Sequence, residues 1–376
     1  MSVHRFEALD AWRGICALLV ALYHLSAAGY FFDFPIVRNG GAGVEFFFVL
    51  SGFVIAYAYR NGVSAPSFLL RRFGRLYPLH LFTLGVLVCI ELAKLVALAS
   101  LGVTAGSPAF QGDSSLPSLV ANLLLVNGLG FFDYYSWNGP SWSISTEFYT
   151  YLIYLAIVYS GNRWSVFNNV LIIGLSFSLL VANKLAGSPL SNIEGEGFIL
   201  CVFGFFVGNL LYSGYAAAVS KNFIPPRHSE LVALLVVIVI FMGWVPELAM
   251  VPLFAGVIFV FAFQQGVISK ALTTRVPQHL GAISYSIYLV HFPVLALING
   301  TARVSQQVFD TPLYSQIDYE QRDMLSFGGP LVMDGLALAY ILVVVGVASL
   351  TYRFIEVPGR DVFRRLSAGK TKTAAA

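Results

Sequence analysis

Long apolar segments recur from one end of the chain to the other, and they restrict the fold more than any other feature. Eleven such segments occur in the 376 residues, and most have roughly the 20 residues that an α-helix needs to cross a bilayer. Because only 11% of the residues are charged, against about a quarter in soluble domains, most of the surface cannot face water. We therefore predict an all-α membrane protein. The segments are 11–31, 42–59, 77–100, 117–132, 141–160, 166–186, 197–213, 230–246, 248–267, 280–299 and 331–352.

The positive charges indicate how these segments are oriented. Arg60, Arg71, Arg72 and Arg75 follow the second segment, and a further basic cluster follows the last one. Lys and Arg prefer cytoplasmic loops, so both chain ends are expected in the cytoplasm, which requires an even number of spans. We exclude 117–132, which is short and contains two asparagines, and predict about ten transmembrane helices; the inner side then holds 17 of the 22 Lys and Arg residues. The excluded segment is expected to be re-entrant or to lie along the outer interface.

The chain is expected to form one transmembrane domain, residues 1–358, followed by a basic cytoplasmic tail, residues 359–376, that is disordered at its end. Cys16, Cys89 and Cys201 lie in apolar segments and match neither a disulfide framework nor a zinc pattern, so no metal is expected. The net charge of +3 gives no signal for nucleic acid. We predict a multi-pass protein of the inner (cytoplasmic) membrane, with the lipid bilayer as its surroundings and oligomerisation left open.

Ionisable residues at membrane depth are costly and are retained where they line a cavity or a reaction path, and the first segment contains two. Arg13 and His24 are eleven residues apart, so on a helix they share a face and lie about 16 Å apart along the axis. Asp10, three residues before Arg13, is expected to pair with it. Snorkelling explains Arg13 alone and a packing hydrogen bond explains His24 alone, but the shared face favours a joint functional role.

A basic cluster begins the third segment in the stretch "RRFGRLYP", which contains Arg71, Arg72 and Arg75. Arg71 and Arg75 share a helix face because they are four residues apart. Contact with anionic lipid explains such a cluster, whereas planar guanidinium groups also suit phosphate oxygens. His80 follows closely and fits either role. The sequence thus predicts a lipid anchor or a phosphate site at this helix entry.

The remaining polar candidates lie in three other segments. Glu147 lies about two turns into its segment, where a carboxylate needs a partner or a proton. His291 lies near the middle of a later segment, and Tyr288 lies on the same polar face; a hydrogen-bonded packing seam is the alternative for both. Glu45 is near the outer end of the second segment, and Trp142 suits the aromatic belt at the interface. Glu147 is the hardest of these to explain by structure alone.

Six stretches of the chain, taken in order, resemble the motifs of the acyltransferase 3 family of integral membrane acyltransferases. They cover residue 8 to about residue 358, nearly the whole chain, and the order is specific although each motif alone is weak. The stretches are "LDAWRG" with His24, "FFFVLSGFVI", "RRFGRLYP", "WSISTEFYTYLIY", "LGAISYSIYLVHFPV" and "YRFIEVP".

The resemblance implies an acyl-CoA donor on the cytoplasmic side, acetyl-CoA by default, and a carbohydrate acceptor that offers a sugar hydroxyl. Family products include acylated polysaccharides, lipopolysaccharide O-antigen and exopolysaccharide. In this family's pattern a second acidic residue or glutamine often follows the glutamate, and Phe148 stands there instead. The geometry around Glu147 is therefore expected to differ in detail.

The resemblance also assigns roles to the candidate residues. The implied catalytic residues are His24, Arg13 and Glu147. The implied acyl-CoA-binding residues are Arg71, Arg72 and Arg75. The implied acceptor-binding residues are Trp142, Ser143, Tyr288, His291 and Glu45.

Two mechanisms and one other class of function remain open at this stage. Imidazole exchanges protons near neutral pH, so His24 either acts as general base on the acceptor hydroxyl or carries the acyl group as a covalent relay. Intramembrane His and Glu residues would also suit a proton-coupled or polysaccharide transporter. No inverted repeat and no pair of broken spans is visible in the sequence, which counts against transport.

Overall fold

The computed structural model describes residues 5–62, 64–159, 165–187, 195–316 and 323–373, and these residues are mostly α-helical. This confirms the all-α prediction. One small antiparallel hairpin joins β1 (Tyr314–Gln316) to β2 (Asp323–Leu325). The helices are α1 (Glu7–His24), α2 (Tyr30–Asp33), α3 (Pro35–Arg38), α4 (Gly43–Ala58), α5 (Ala65–Leu101), α6 (Leu116–Leu123), α7 (Trp142–Tyr159), α8 (Ser165–Leu185), α9 (Glu196–Ser220), α10 (Ser229–Phe241), α11 (Glu247–Ala262), α12 (Val267–Leu272), α13 (Arg275–Ala282), α14 (Ser284–Phe309), α15 (Pro330–Thr351) and α16 (Val357–Thr373).

Six helices in the described part of the chain are long and apolar enough to cross a membrane. Each coincides with a span that the sequence predicts. They are Gly40–Ala58, Ala65–Leu101, Val166–Leu185, Glu196–Ser220, Ser284–Phe309 and Pro330–Ala368.

The four other predicted spans also fall on helices, but these helices are shorter or more polar. α1 and α7 have 18 residues each, and their sequences carry several charged or hydroxyl side chains. α10 and α11 are apolar and have 13 and 16 residues. The count of about ten spans and the cytoplasmic location of both termini stay predictions. Arg163 is one of the positive charges from which the orientation was predicted, and it lies outside the described residues.

The excluded segment 117–132 contains only the short helix α6, which has eight residues. Such a helix is about 12 Å long, whereas the hydrocarbon core is about 30 Å thick. The segment cannot cross as a helix, in agreement with its exclusion from the spans.

Two helices are much longer than a bilayer requires. α5 has 37 residues and the continuous helix Pro330–Ala368 has 39, so each extends for more than 50 Å, roughly, by the helical rise. Pro66 near the start of α5 needs no intrahelical hydrogen-bond partner, and Gly102 ends the helix in a left-handed conformation with φ of 67°. Because α5 is longer than the bilayer is thick, its basic amino-terminal end can project beyond the hydrocarbon core of the membrane.

Glycines allow two helices, α4 and α9, to pack closely in the interior. A Cβ atom on Gly52 of α4 would collide with the carbonyl oxygen of Phe205, and one on Gly208 of α9 would collide with that of Val49. Small residues allow helix backbones in membranes to pack at short range. This α4–α9 crossing fixes the helix that carries the "FFFVLSGF" motif.

The carboxyl-terminal part of the chain contains the helix α16, which runs to Thr373 and packs against α5. The expectation that the tail, residues 359–376, is disordered at its end stays a prediction. A π-helical turn, Tyr352–Glu356, joins it to α15. Residues 374–376 lie outside the described residues, and the division of the chain at residue 358 stays a prediction.

Candidate active site

A cavity of about 360 Å³ lies among α1, α4, α5, α7, α14 and α16. This volume is in the range of small-molecule sites. Seven of the predicted site residues line the cavity, namely Arg13, Arg71, Arg72, Arg75, Ser143, Glu147 and Tyr288. The other lining residues are Val44, Phe47, Phe48, Leu50, Ser51, Val54, Ile55, Leu76, Ile144, Tyr151, Ser284, Tyr285, Arg360 and Arg364.

Positive charge dominates the cavity wall. Among the described residues that line it, six are arginines and one, Glu147, is a carboxylate. Their guanidinium groups present forked N–H donors that match phosphate oxygens. Most of the other lining residues are aliphatic or aromatic. The cavity therefore suits an anion with a long apolar arm.

Arg13 is held on the cavity wall by hydrogen bonds within its own helix and to α13 and α14. Its Nη1 donates to Asp10 at 3.1 Å, which confirms the expected pair. Its Nη2 donates to the carbonyl of Gly281 at 3.1 Å and to Ser284 Oγ at 3.2 Å, across to the α13–α14 junction. Asp10 also accepts from Arg5, which precedes α1, and this hydrogen bond raises the pKa of Arg5. Arg13 thus ties α1 to α14, and its position is fixed.

The arginines of α5 lie beside aromatic rings. The Arg72 guanidinium carbon is 5.8 Å from the Tyr59 ring centroid and 6.0 Å from that of Tyr151, and Arg75 is 5.8 Å from Tyr285. These distances are in the range of cation–π contacts. The buried Nε of Arg72 has no hydrogen-bond partner among the described residues, so one donor of this cavity-lining arginine is unsatisfied.

Glu147 is oriented by two hydroxyl groups. Ser51 Oγ donates to its Oε1 at 2.5 Å and Tyr151 donates to the same oxygen at 2.6 Å. Two donors to one oxygen hold the carboxyl group of Glu147 in one orientation. The geometry fixes one oxygen of Glu147 at the cavity wall.

Ser143 and Tyr288 join α7 to α14 at the cavity. Ser143 Oγ and the Tyr288 hydroxyl lie 2.7 Å apart, and the Tyr288 hydroxyl lies 2.9 Å from the carbonyl oxygen of Pro140. Ser143 Oγ also lies 3.1 Å from the Pro140 carbonyl oxygen, so one of the two hydroxyl groups can donate to Pro140 while the other donates to its neighbour. Two predicted acceptor-binding residues form one hydrogen-bonded pair.

His24 and His291 lie next to this pair but do not line the cavity. Their ring centroids are 5.0 Å apart, and the His291 ring is 6.0 Å from that of Tyr288. His24 Nδ1 lies 2.8 Å from the carbonyl oxygen of Val20. Because a carbonyl only accepts, Nδ1 carries the hydrogen and Nε2 of the neutral ring is the basic nitrogen. His291 contacts both His24 and the lining residue Tyr288, and the catalytic role of His24 stays a prediction.

Glu45 and Trp142 also lie outside the cavity lining. Glu45 is 7% exposed, and its Oε2 has no hydrogen-bond partner among the described residues. Trp142 is 8% exposed and packs edge-on against Phe48 at 5.9 Å. Burial of the indole among helices explains Trp142 better than the interfacial belt that its position suggested. Neither residue reaches the cavity, so their binding roles stay predictions.

The lining also contains six polar or charged residues that the sequence did not mark as site residues: Ser51, Tyr151, Ser284, Tyr285, Arg360 and Arg364. Arg360 and Arg364 show the same four-residue spacing as Arg71 and Arg75, which was the available signal. Ser51 and Tyr285 belong to quoted motifs but carry no charge. Among the described residues, no three His, Cys, Asp or Glu side chains cluster closely enough to hold a metal ion.

Comparison with known proteins adds independent information. The family model described as "Acyltransferase domain" matches residues 6–352. Acyltransferase MdmB of Streptomyces mycarofaciens is 35% identical over 169 residues, 40% of this chain and 39% of MdmB. Protein 2 in the picA locus of Rhizobium radiobacter is 31% identical over 194 residues, 47% of this chain and 93% of that protein.

A longer match covers most of the chain at lower identity. Peptidoglycan O-acetyltransferase OatA of Listeria monocytogenes is 23% identical over 332 residues, 80% of this chain and 51% of OatA. The matched regions thus span about half of OatA and less than half of MdmB. No solved structure matches the chain.

Proposed function

Because the chain belongs to the acyltransferase 3 family, we propose that it is a membrane O-acyltransferase that uses acyl-CoA and acylates a carbohydrate hydroxyl. The single observation that carries the donor assignment is the cavity with six arginines around one carboxylate. Coenzyme A carries a diphosphate and a 3′-phosphate on a nucleotide, and a thin pantetheine arm leads to the thioester. The arginines match the phosphates, and the apolar wall matches the arm.

The thioester is proposed to lie at the Ser143–Tyr288 end of the cavity. Arg13 lies on the same wall, and His24 follows it on α1 at a distance of about 16 Å by the helical rise. A pantetheine arm that extends from the arginines in this direction brings the thioester towards Tyr288, which neighbours His291 and through it His24. This arrangement supports chemistry at the Tyr288–His291–His24 group.

The reaction moves one acyl group and one proton. The acceptor oxygen attacks the thioester carbonyl, the carbon–sulfur bond breaks, and the CoA thiolate takes up a proton to leave as the thiol. In the general-base version, His24 Nε2 receives the hydroxyl proton and returns it to the sulfur. In the relay version, Nε2 attacks the thioester carbonyl and expels the CoA thiolate; the acceptor oxygen then displaces the histidine from the acyl carbon, and the hydroxyl proton passes to the thiolate. Glu147 and His291 are proposed to orient these groups.

The relatives support acetyl as the acyl group and a cell-surface glycan as the acceptor. OatA is named a peptidoglycan O-acetyltransferase, and MdmB is named an acyltransferase. Polysaccharide, lipopolysaccharide and exopolysaccharide hydroxyls are further members of this acceptor class. The proposed location is the inner (cytoplasmic) membrane, because the donor is made in the cytoplasm.

Transfer of a label tests this proposal. Membrane vesicles that contain the protein are given acetyl-CoA with a radiolabelled acetyl group, and carbohydrate is then extracted. We expect label in carbohydrate as an ester that mild base releases, and none in vesicles without the protein. Carbohydrate movement across the membrane that needs no acetyl-CoA, with no ester formed, would favour the transporter alternative instead.

A further inference from the structure

The helix α16 runs antiparallel to α5 along the cavity. Arg71 Nε donates to Ser367 Oγ at 3.2 Å. Phe363 contacts Gly74, and Gly359 contacts Pro78. Residues later in α5 contact residues earlier in α16, so the two helices run antiparallel.

Two glycines hold these helices at close range. A Cβ atom on Gly74 would collide with Phe363 Cβ, and a Cβ atom on Gly359 would lie 2.6 Å from Pro78 Cβ. Real Cβ atoms do not approach so closely, so both positions require glycine at this separation. The register between the two helices is therefore fixed.

The start of α16 is also anchored from the other side. The π-helical turn Tyr352–Glu356 continues from α15 into α16 without a loop. Glu356 is 2% exposed and accepts a hydrogen bond from Ser286 Oγ at 2.8 Å. α16 is thus continuous with the last apolar helix.

This register brings two pairs of arginines together across the cavity. Arg360 and Arg364 are one helical turn apart on α16, as are Arg75 and Arg71 on α5. In this antiparallel register Arg364 lies level with Phe73 and Gly74, between Arg71 and Arg75, and Arg360 lies level with Tyr77 and Pro78, just beyond Arg75. All four side chains line the cavity.

The buried carboxylate of Glu356 lies close enough to Arg75 and Arg360 to compensate part of their charge, whereas the outer arginines have little compensation. Arg364 is 68% exposed and pairs with Asp361 at 3.4 Å, a surface ion pair that contributes little. Like charges that face each other repel, and an anion between them removes this cost. The arrangement is therefore one that a phosphate-bearing ligand stabilises.

We propose that α16 forms half of the donor site, with Arg360 and Arg364 as phosphate-binding residues. This rests on the proposed function, since the phosphates are those of coenzyme A. Arg71 and Arg364 are the exposed pair, whereas Arg75 and Arg360 are half-buried. The diphosphate lies between adenosine and the pantetheine arm. The inner pair, Arg75 with Arg360, therefore binds the diphosphate, and the outer pair, Arg71 with Arg364, binds the 3′-phosphate.

The test compares two donors that differ only in the 3′-phosphate. Full-length protein in lipid nanodiscs is titrated with acetyl-CoA and with acetyl-dephospho-CoA by calorimetry. The variants are Arg360→Gln and Arg364→Gln, and the matched control is Arg365→Gln, an exposed neighbour outside the cavity lining. We expect each cavity variant to weaken acetyl-CoA binding about tenfold, with the control within about twofold of wild type.

The second donor distinguishes the two arginines. Loss of the 3′-phosphate should abolish the effect of Arg364→Gln, because its partner is missing, while the effect of Arg360→Gln should persist. If the Gln variants do not fold, Arg360→Lys and Arg364→Lys keep the charge and should cost about threefold through loss of the guanidinium fork. Equal elution volumes and melting temperatures establish that the variants are folded.

The outcomes separate this proposal from the proposed function. If wild type binds acetyl-CoA and Arg75→Gln weakens binding, but the α16 variants match Arg365→Gln, α16 is not part of the donor site and the donor assignment survives. If the α16 variants bind weakly but respond identically to both donors, the assignment of the 3′-phosphate to Arg364 is wrong. If folded wild type binds neither donor, the acyl-CoA assignment itself fails.

Discussion

Glu147 is held by two hydroxyl donors in a cavity whose other charged side chains are arginines. Ser51 and Tyr151 both donate to one oxygen of its carboxylate. A side chain that two other helix positions orient so tightly is suited to fix a substrate hydroxyl or to stabilise charge near the thioester. The residue is therefore the sharpest single-site test apart from His24.

Glu147→Gln keeps the size of the side chain and removes its charge. We expect kcat for acyl transfer to fall about 100-fold, with a much smaller change in KM for acetyl-CoA, because the arginines are unchanged. Steady-state release of CoA measures both constants. Glu247→Gln, outside the cavity lining, is the matched control and should behave as wild type. A kcat within about twofold of wild type for Glu147→Gln would remove this residue from the active site.

The crossing of α4 and α9 is the element-scale feature that positions Ser51. Gly52, its neighbour, meets the Phe205 carbonyl with no space for a methyl group. α4 contributes Phe47, Phe48 and Ser51 to the cavity, so a change in this crossing alters the site as well as stability.

Gly52→Ala should force the two helices apart. We expect a loss of about 1–3 kcal/mol of stability, seen as a melting temperature several degrees lower in detergent. Gly214→Ala is the matched control, since Gly214 also lies in α9 but a Cβ there meets nothing within 4 Å. Alanine favours helix over glycine by up to about 1 kcal/mol, so the control should melt at the same or a higher temperature. Equal melting of the two variants would show that the crossing is not tight.

At the scale of the whole molecule, the contact between α5 and α16 places the basic residues of both helices on the same side of the protein. The antiparallel contact between them brings Arg71 close to Ser367, so the basic cluster and the carboxyl-terminal helix share a membrane face. The positive-inside tendency predicts that this face is cytoplasmic.

Cysteine labelling in intact cells tests this orientation. Arg365→Cys and Asp113→Cys are made in a protein in which Cys16, Cys89 and Cys201 are alanine. An impermeant maleimide should label residue 113 in intact cells and residue 365 only after lysis. Labelling of residue 365 in intact cells would place α16 outside and reverse the topology.

The sequence predicts where helices lie better than it predicts which helices pack together. The apolar length of α5 and α14 marks both as spans, and the Asp10–Arg13 pair follows from local spacing. The Ser51–Glu147 hydrogen bond joins residues 96 positions apart, and no local period indicates which helices meet. The side of α16 that faces α5 depends on glycine contacts in three dimensions. The sequence could therefore name Arg71 and Arg75 as a phosphate site but not Arg360 and Arg364.

His24 and His291 show the same limit of prediction from sequence. His24 and His291 are each visible as ionisable residues at membrane depth, and their ring contact at 5.0 Å agrees with a shared site. Their separation from the cavity lining by Tyr288 could not be read from spacing on one helix, because it depends on how α1 and α14 pack.

Release of CoA by purified protein in liposomes tests the central claim most directly. Acetyl-CoA and a total cell-envelope glycan fraction are supplied to wild type, His24→Ala and the exposed control His228→Ala, and the free thiol is measured over time. The account predicts release by wild type and His228→Ala, and a rate at least about 100-fold lower for His24→Ala. Full activity of folded His24→Ala would contradict both the general-base and the relay mechanism, and no release by folded wild type would contradict the acyl-CoA-dependent reaction.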